Sequence, residues 1–308
     1  MSAVGNRQMA AADAPHPRVG RAVAEPLLPR AAVHGHHPSA PAGTMAAVVR
    51  TGARAAIVAM FATWVAVAGA AEPAAAQHPD LSGYWNLSTK IPVDKAMIAA
   101  LPPNTVVLED TGAAEFPVGV YGGLKVKPKA LDAAKKWNPR DDMSLSNACR
   151  APSIVYAMQG PFPLEIFQGT ELIVIKLEYF DMVRIVFMDG RPEAGEDYPH
   201  SKTGFSRGRW EGDTLVVETT HLEAATITNN GLSHSEKMRV IEHFKLSADG
   251  TALLATQELE DPEVLDNRGA RFISWRKKPG EHVYPYDCDP SFALQYQSQH
   301  PEPSKEKK

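Results

Sequence analysis

The sequence predicts a mainly β fold, an antiparallel barrel or strongly curled sheet with short N-terminal helices as a cap. Three observations carry that prediction. Between Pro163 and Trp275, short runs of β-branched and aromatic residues alternate with turn residues. No helix long enough for a βαβ crossover separates those runs, which argues against a parallel α/β sheet. About nine such strands in one domain must curl into a barrel or split into a sandwich to dispose of their edges. No internal repeat is visible in the 308 residues, so propellers and solenoids are not expected.

Much of the N-terminal quarter reads as lying outside the fold. Residues 1–44 are Ala, Pro, His and Arg without hydrophobic periodicity, a non-native or disordered upstream extension, and Met45 reads as the true start. After Met45, Arg50 and Arg54 precede an apolar stretch from Ala55 to Ala70, and small residues follow, the pattern of a secretory signal over residues 45–76. The competing reading is a transmembrane anchor, but the run is roughly 16 residues against the ~20 that a spanning helix needs. Cleavage after Ala70 or after Ala76 fits, and the second leaves Gln77 at the start of a single β-rich domain over 77–300, with 301–308 as a disordered tail. The expected location is periplasmic or secreted, with no transmembrane segment after signal cleavage. Residues 77–308 carry 26 Lys and Arg against 33 Asp and Glu, so no basic patch remains that would suit nucleic acid. The cluster His34, His36 and His37 falls in the excluded segment and is given no metal role.

The domain opens on a strand at Gly83–Leu87. A helical pattern over Asp94–Leu101 is ended by Pro102-Pro103, and a second runs over Pro128–Trp137; both are expected to cap the sheet. The remaining strands are Leu164–Gln168, Glu171–Glu178, Met182–Met188, Gly204–Trp210, Thr214–Thr220, Lys237–Leu246, Thr251–Leu259 and Ala270–Trp275. Turns at Gly169-Thr170, Phe180-Asp181, Glu211-Gly212-Asp213 and Ala248-Asp249-Gly250 make most of them hairpins, hence antiparallel. Cys149 and Cys288 form an even pair in an exported chain and are expected to be disulfide-bonded, closing a loop of about 140 residues. A nucleophilic cysteine is the alternative, and it lacks a His partner in sequence.

Four segments, DLSGYW at 80–85, FMDGRP at 187–192, GRWEGDTLVVET at 208–219 and HSEKMRVIEHF at 234–244, resemble those of a family of uncharacterised secreted bacterial proteins. That family has a DLSGxW opening and a GRWEGDTLVV core; the resemblance covers most of residues 77–300 and implies export without implying an activity. Gly83-Tyr84-Trp85 is also similar to the G-x-W that opens the first strand of lipocalins, whose barrels hold apolar ligands.

In a strand, alternate residues share a face, so an ionisable group among apolar neighbours of its own parity is informative. Glu242 falls with Met238, Val240, Phe244 and Leu246, and Arg184 with Val186 and Met188. Burying an unpaired carboxylate is costly, so Glu242 is expected to pair with Arg184 or to carry a raised pKa. The pair is either a structural ion pair that fixes register or part of an acid–base site. In the second case Glu242 and His234 transfer protons and Arg184 stabilises developing negative charge. His234 is expected in a loop near the barrel mouth. Glu178, Arg191, Trp210 and Phe244 are the candidate ligand contacts; Glu178 also fits a solvent-facing position, Trp210 the core, and Arg191 an anion contact from a loop over the cavity. His200, His221, His234 and His243 have no metal-ligand spacing, and no metal or cofactor is expected. GxSxG, Walker, GxGxxG and CxxCH motifs do not occur. The expected function is an exported barrel that binds a small apolar or aromatic molecule in an internal cavity. The alternatives are a cofactor-free lyase, hydratase or isomerase acting there, and a structural or interaction module of the envelope.

Overall fold

A computed structural model of the chain describes residues 78–110 and 114–301. The expected upstream extension, signal peptide, His34-His36-His37 cluster and residues 302–308 of the tail lie outside the described residues. Twelve strands are formed: β1 (Gly83–Leu87), β2 (Thr105–Val107), β3 (Leu164–Gln168), β4 (Leu172–Leu177), β5 (Val183–Phe187), β6 (Phe205–Glu211), β7 (Thr214–Thr220), β8 (Ala225–Thr228), β9 (Leu232–His234), β10 (Arg239–Leu246), β11 (Ala252–Glu260) and β12 (Arg268–Lys277). Nine of them close a barrel in the order β1-β3-β4-β5-β6-β7-β10-β11-β12, and β12 pairs back onto β1.

An odd number of strands cannot alternate in direction all the way around a closed ring. One neighbouring pair must run parallel, and here it is β5–β6, with Val186 opposite Ser206. The two are joined by the long connection 188–204 rather than by a hairpin, and every other neighbouring pair of the ring is antiparallel, as the hairpins predict. β2 adds outside the ring, parallel to β12, and β8–β9 form a separate two-stranded ribbon. His234 therefore lies on a strand, β9, rather than in a loop.

The registers place the β3–β4, β6–β7 and β10–β11 turns at one end of the barrel. Gly212-Asp213 joins β6 to β7 there, with Gly212 at φ 59°, a left-handed conformation that glycine adopts without steric cost. The long connections gather at the other end, where β7 leads through β8 and β9 to β10. The wall closes tightly at Gly208, where an added Cβ would lie 2.3 Å from Met188 Sδ and 2.8 Å from Val186 Cγ1. That spacing explains the glycine of the GRWEGD segment.

The barrel interior is filled by side chains such as Trp85, Ile175, Val217, Phe244, Leu253 and Trp275, all fully buried or nearly so. Each contributes ~1.5–3 kcal/mol through loss of apolar surface to water. Trp85 adds an indole N–H donated to Leu81 O at 2.9 Å.

Among the described residues five short α-helices decorate this frame: α1 (Lys95–Ala99), α2 (Pro128–Ala134), α3 (Pro139–Asp142), α4 (Ile154–Ala157) and α5 (Phe292–Gln299). Asp94 caps α1 by accepting from the Ala96 and Met97 amides, as its place before the helical pattern predicts. α1 buries none of its residues, whereas every residue of α4 is buried. The Cys149–Cys288 disulfide is present, with Cα atoms 5.8 Å apart. It anchors a C-terminal strap whose amides at Val283, Tyr284 and Tyr286 donate to Glu165, Glu178 and Asp181 on the barrel. Among the described residues no helix is long and apolar enough to cross a membrane.

Candidate functional site

The strands that carry the inward-facing polar residues bring them to one level at the end with the long connections. On β10, Glu242 stands opposite Val217 of β7 and Gln257 of β11. Arg184 Nη2 donates to Glu242 Oε2 at 2.5 Å and to Thr219 Oγ1 at 2.7 Å, and its Nε donates to Ser206 Oγ at 3.0 Å. Gln257 Nε2 donates to the other carboxylate oxygen at 3.3 Å. Arg184 and Glu242 are 0% and 1% exposed, so hydrogen bonds from their neighbours have to offset the desolvation of both charges.

A second buried pair lies beyond Gln257 on β12. Arg271 grips Asp110 through Nε at 3.0 Å and Nη2 at 2.7 Å, and also donates to Ile227 O and Val155 O. Gln159 Nε2 donates to Asp110 Oδ2 at 3.1 Å. α4 links the two pairs, because Gln257 also donates to Ile154 O.

Ser153, immediately before α4, lies 2.7 Å from His234 Nε2. His234 Nδ1 is 2.8 Å from Ser235 O, an acceptor only, so Nδ1 carries the proton and Nε2 accepts the Ser153 hydroxyl. Burial pushes the His234 imidazole below its ordinary value. Nearby, the Tyr156 hydroxyl donates to Glu115, whose carboxyl burial holds above the usual carboxylate range.

The residues singled out from sequence are thus partly gathered. Arg184 and Glu242 meet, and His234 joins them only through Ser153, α4 and Gln257. Glu178 accepts the Tyr284 amide of the strap. Arg191 sits on the outer surface, chelating Asp189, with its guanidinium carbon 3.6 Å from the centre of the Phe187 ring. Trp210 is half-buried and stacks on His78 at 4.7 Å, while Phe244 lies in the core with its ring 6.4 Å from that of Trp275. These four do not converge on one point.

A cavity of about 420 Å³ opens instead beside the β1–β12 seam, where the segment 88–110 folds back on the barrel. Its wall includes Leu87, Ile91, Ile98, Leu108, Phe272 and Ile273, and its polar lining includes Asp110 and Gln159. Gln159 Nε2 is committed to Asp110, and its buried Oε1 accepts from no donor among the described residues. On the other side of α1 a smaller cavity, about 230 Å³, is lined by His243 and Glu258, whose Nδ1 and Oε1 are 3.6 Å apart. Burial lowers the first group's pKa and raises the second's.

Sequence reasoning missed Arg271, Gln257, Asp110 and Gln159. Strand parity carried a signal for two of them: Arg271 shares its face with Ile273 and Trp275, and Gln257 with Leu253, Ala255 and Leu259. Asp110 and Gln159 lie in irregular chain, where no period marks them. No group of three or more His, Cys, Asp or Glu side chains that could hold a metal ion occurs among the described residues. No protein-family model matches the chain, and no curated protein matches it significantly. The fold and the site define a closed nine-strand β-barrel with an apolar cleft at its seam.

Proposed function

We propose that the chain is an exported protein that binds a small, largely apolar or aromatic molecule in the cleft at the β1–β12 seam. The observation that carries this reading is a cavity of about 420 Å³, walled by aliphatic and aromatic side chains and bordered by buried polar groups. Ligand sites are commonly concave, apolar and of that size, with a few placed polar groups. The reading moves the ligand from the barrel axis, which Trp85, Phe244 and Trp275 fill, to the wall. Export is supported by the Cys149–Cys288 disulfide together with the signal-like stretch after Met45.

The acid–base alternative draws on Glu242, His234 and Arg184. Glu242 is engaged with Arg184 and Gln257, Arg184 Nε and Nη2 with Ser206, Thr219 and Glu242, and His234 with Ser153 and Ser235, and we read the set as the frame that seats α4 at the barrel end. The binding reading is tested with N-phenyl-1-naphthylamine, an apolar dye that brightens when it leaves water. The wild-type protein is expected to bind it, and Ile98→Glu, which places a charge on the cleft wall from a helix with no buried residues, is expected to weaken binding at least tenfold with an unchanged melting temperature. Absence of dye binding by the wild type, or equal binding by the variant, would remove the cleft as the site.

A further inference from the structure

We infer that the cavity between α1 and the outer faces of β7, β10 and β11 is a second binding site, which takes a small organic cation, a primary ammonium on a short apolar body. It shares no lining residue with the cleft at the seam, so the two readings stand or fall separately.

The group that selects the cation is Glu258, a buried carboxylate without a counter-charge. Glutamate is seldom buried unless it is paired. The other acids on this outer face are paired: Glu211 lies 2.7 Å from Arg209, Glu218 lies 2.7 Å from Arg239, and Glu260 is held by Arg239 and Arg268. The Glu258 side chain is 4% exposed and accepts no hydrogen bond among the described residues. Its ion-pair contact there is His243 Nδ1 at 3.6 Å, beyond hydrogen-bond reach. Burial lowers the His243 pKa, so at neutral pH the imidazole carries no charge to match the carboxylate. Burial in turn holds the Glu258 carboxyl above its ordinary range, the mark of a negative charge that lacks a partner.

The carboxylate is open to the cavity. Neither of its oxygens is among the sealed side-chain atoms that lack a partner, so the part of Glu258 that water touches includes both. Strand parity turns His243 of β10 and Glu258 of β11 away from the interior that Glu242 and Gln257 occupy, and both line the space beside α1. A neutral imidazole keeps one ring nitrogen as an acceptor, which places a second acceptor for an ammonium next to Glu258 Oε1. Met97 and Leu101 supply the apolar wall. The volume of about 230 Å³ is below that of sites for drug-sized ligands, which limits the body to a few carbons. Lys245, the one Lys or Arg in the lining, is exposed and makes no ion pair with Glu258, so the carboxylate is left to the ligand. A cation supplies the missing counter-charge, whereas a neutral molecule of the same shape leaves the carboxylate as it was.

The test titrates nitrogen-15-labelled wild-type protein with 3-methylbutylamine and with 3-methyl-1-butanol at pH 7.5 and follows the backbone amide shifts. The two molecules share their apolar body, and the amine is protonated. The amine is expected to shift amides at residues 96–101 and around 243 and 258, with a Kd at least tenfold below that of the alcohol. Glu258→Gln keeps the shape and removes the charge. It is expected to weaken the amine at least tenfold and to leave the alcohol within about twofold, with a melting temperature no lower than that of the wild type. Equal binding of amine and alcohol by the wild type overturns the inference, and that comparison requires no variant to fold. Absence of binding, shifts confined to other parts of the surface, or amine binding unchanged in Glu258→Gln also overturn it, and none of these outcomes bears on the cleft.

Discussion

The pair Arg184–Glu242 shows how a strand tolerates a charge on its inner face. Glu242 lies between Val240 and Phe244, both essentially unexposed, and accepts from a guanidinium at 2.5 Å and an amide at 3.3 Å. Removing one partner strands the other charge in a region that water does not reach. Glu242→Gln is therefore expected to lower unfolding free energy by about 3–5 kcal/mol, measured by guanidinium denaturation. Replacing both residues by Met should recover most of the loss, because Ser206 and Thr219 already satisfy one another at 2.8 Å. A single variant that costs under about 1 kcal/mol would show that Arg184 finds other anchorage. Parity made this pair legible in the sequence, since one ionisable residue among apolar ones of the same face needs no tertiary information to be noticed.

At the scale of elements, α4 is the piece that the sequence conceals. Ile154–Ala157 is a single turn containing two β-branched residues, too short to be stable alone, and it stands because the barrel donates to its carbonyls and because Ser153 ties its start to His234. The nine ring strands were legible because each runs for five or more residues between turns or loops. β2 has three residues, and β8 and β9 have four and three, too few for a period to show. Ser153→Ala leaves His234 Nε2 without its donor and is expected to cost about 1–3 kcal/mol, with faster hydrogen exchange at residues 154–158. The same contact gives a pH dependence. Burial lowers the folded pKa of His234 below its ordinary 6.5, so the unfolded chain takes up the proton first. Stability is then fully present above about pH 6.5 and is lost as the pH falls toward the folded value. Denaturation midpoints at pH 7 and pH 5 should differ by less in His234→Gln than in the wild type. An equal difference in both would place the acid sensitivity at other groups.

At the scale of the whole molecule, the cleft exists because the ring closes through β1 and β12, the first and last strands of the barrel. Its lining comes from residues 87–110, Gln159 and residues 272–274, which no local pattern connects; the pairing of β1 and β2 with β12 and the bonds of Asp110 to Arg271 and Gln159 bring them together. A reading of periods and turns reaches a barrel and stops short of the seam. The Cys149–Cys288 bond acts at the same scale, joining the approach to α4 with the strap that crosses Glu165, Glu178 and Asp181. A separation of 139 residues makes it a long loop, and in the chain-entropy account long loops gain most from closure. Cys288→Ser is expected to lower unfolding free energy by ~2–5 kcal/mol and to expose the strap around Tyr284 to limited proteolysis, with the circular-dichroism signature of the barrel retained. Reduction of the wild type should shift the denaturation midpoint to that of the variant. If the midpoint is unmoved by either change, the hydrogen bonds to the three carboxylates hold the strap without the covalent tie.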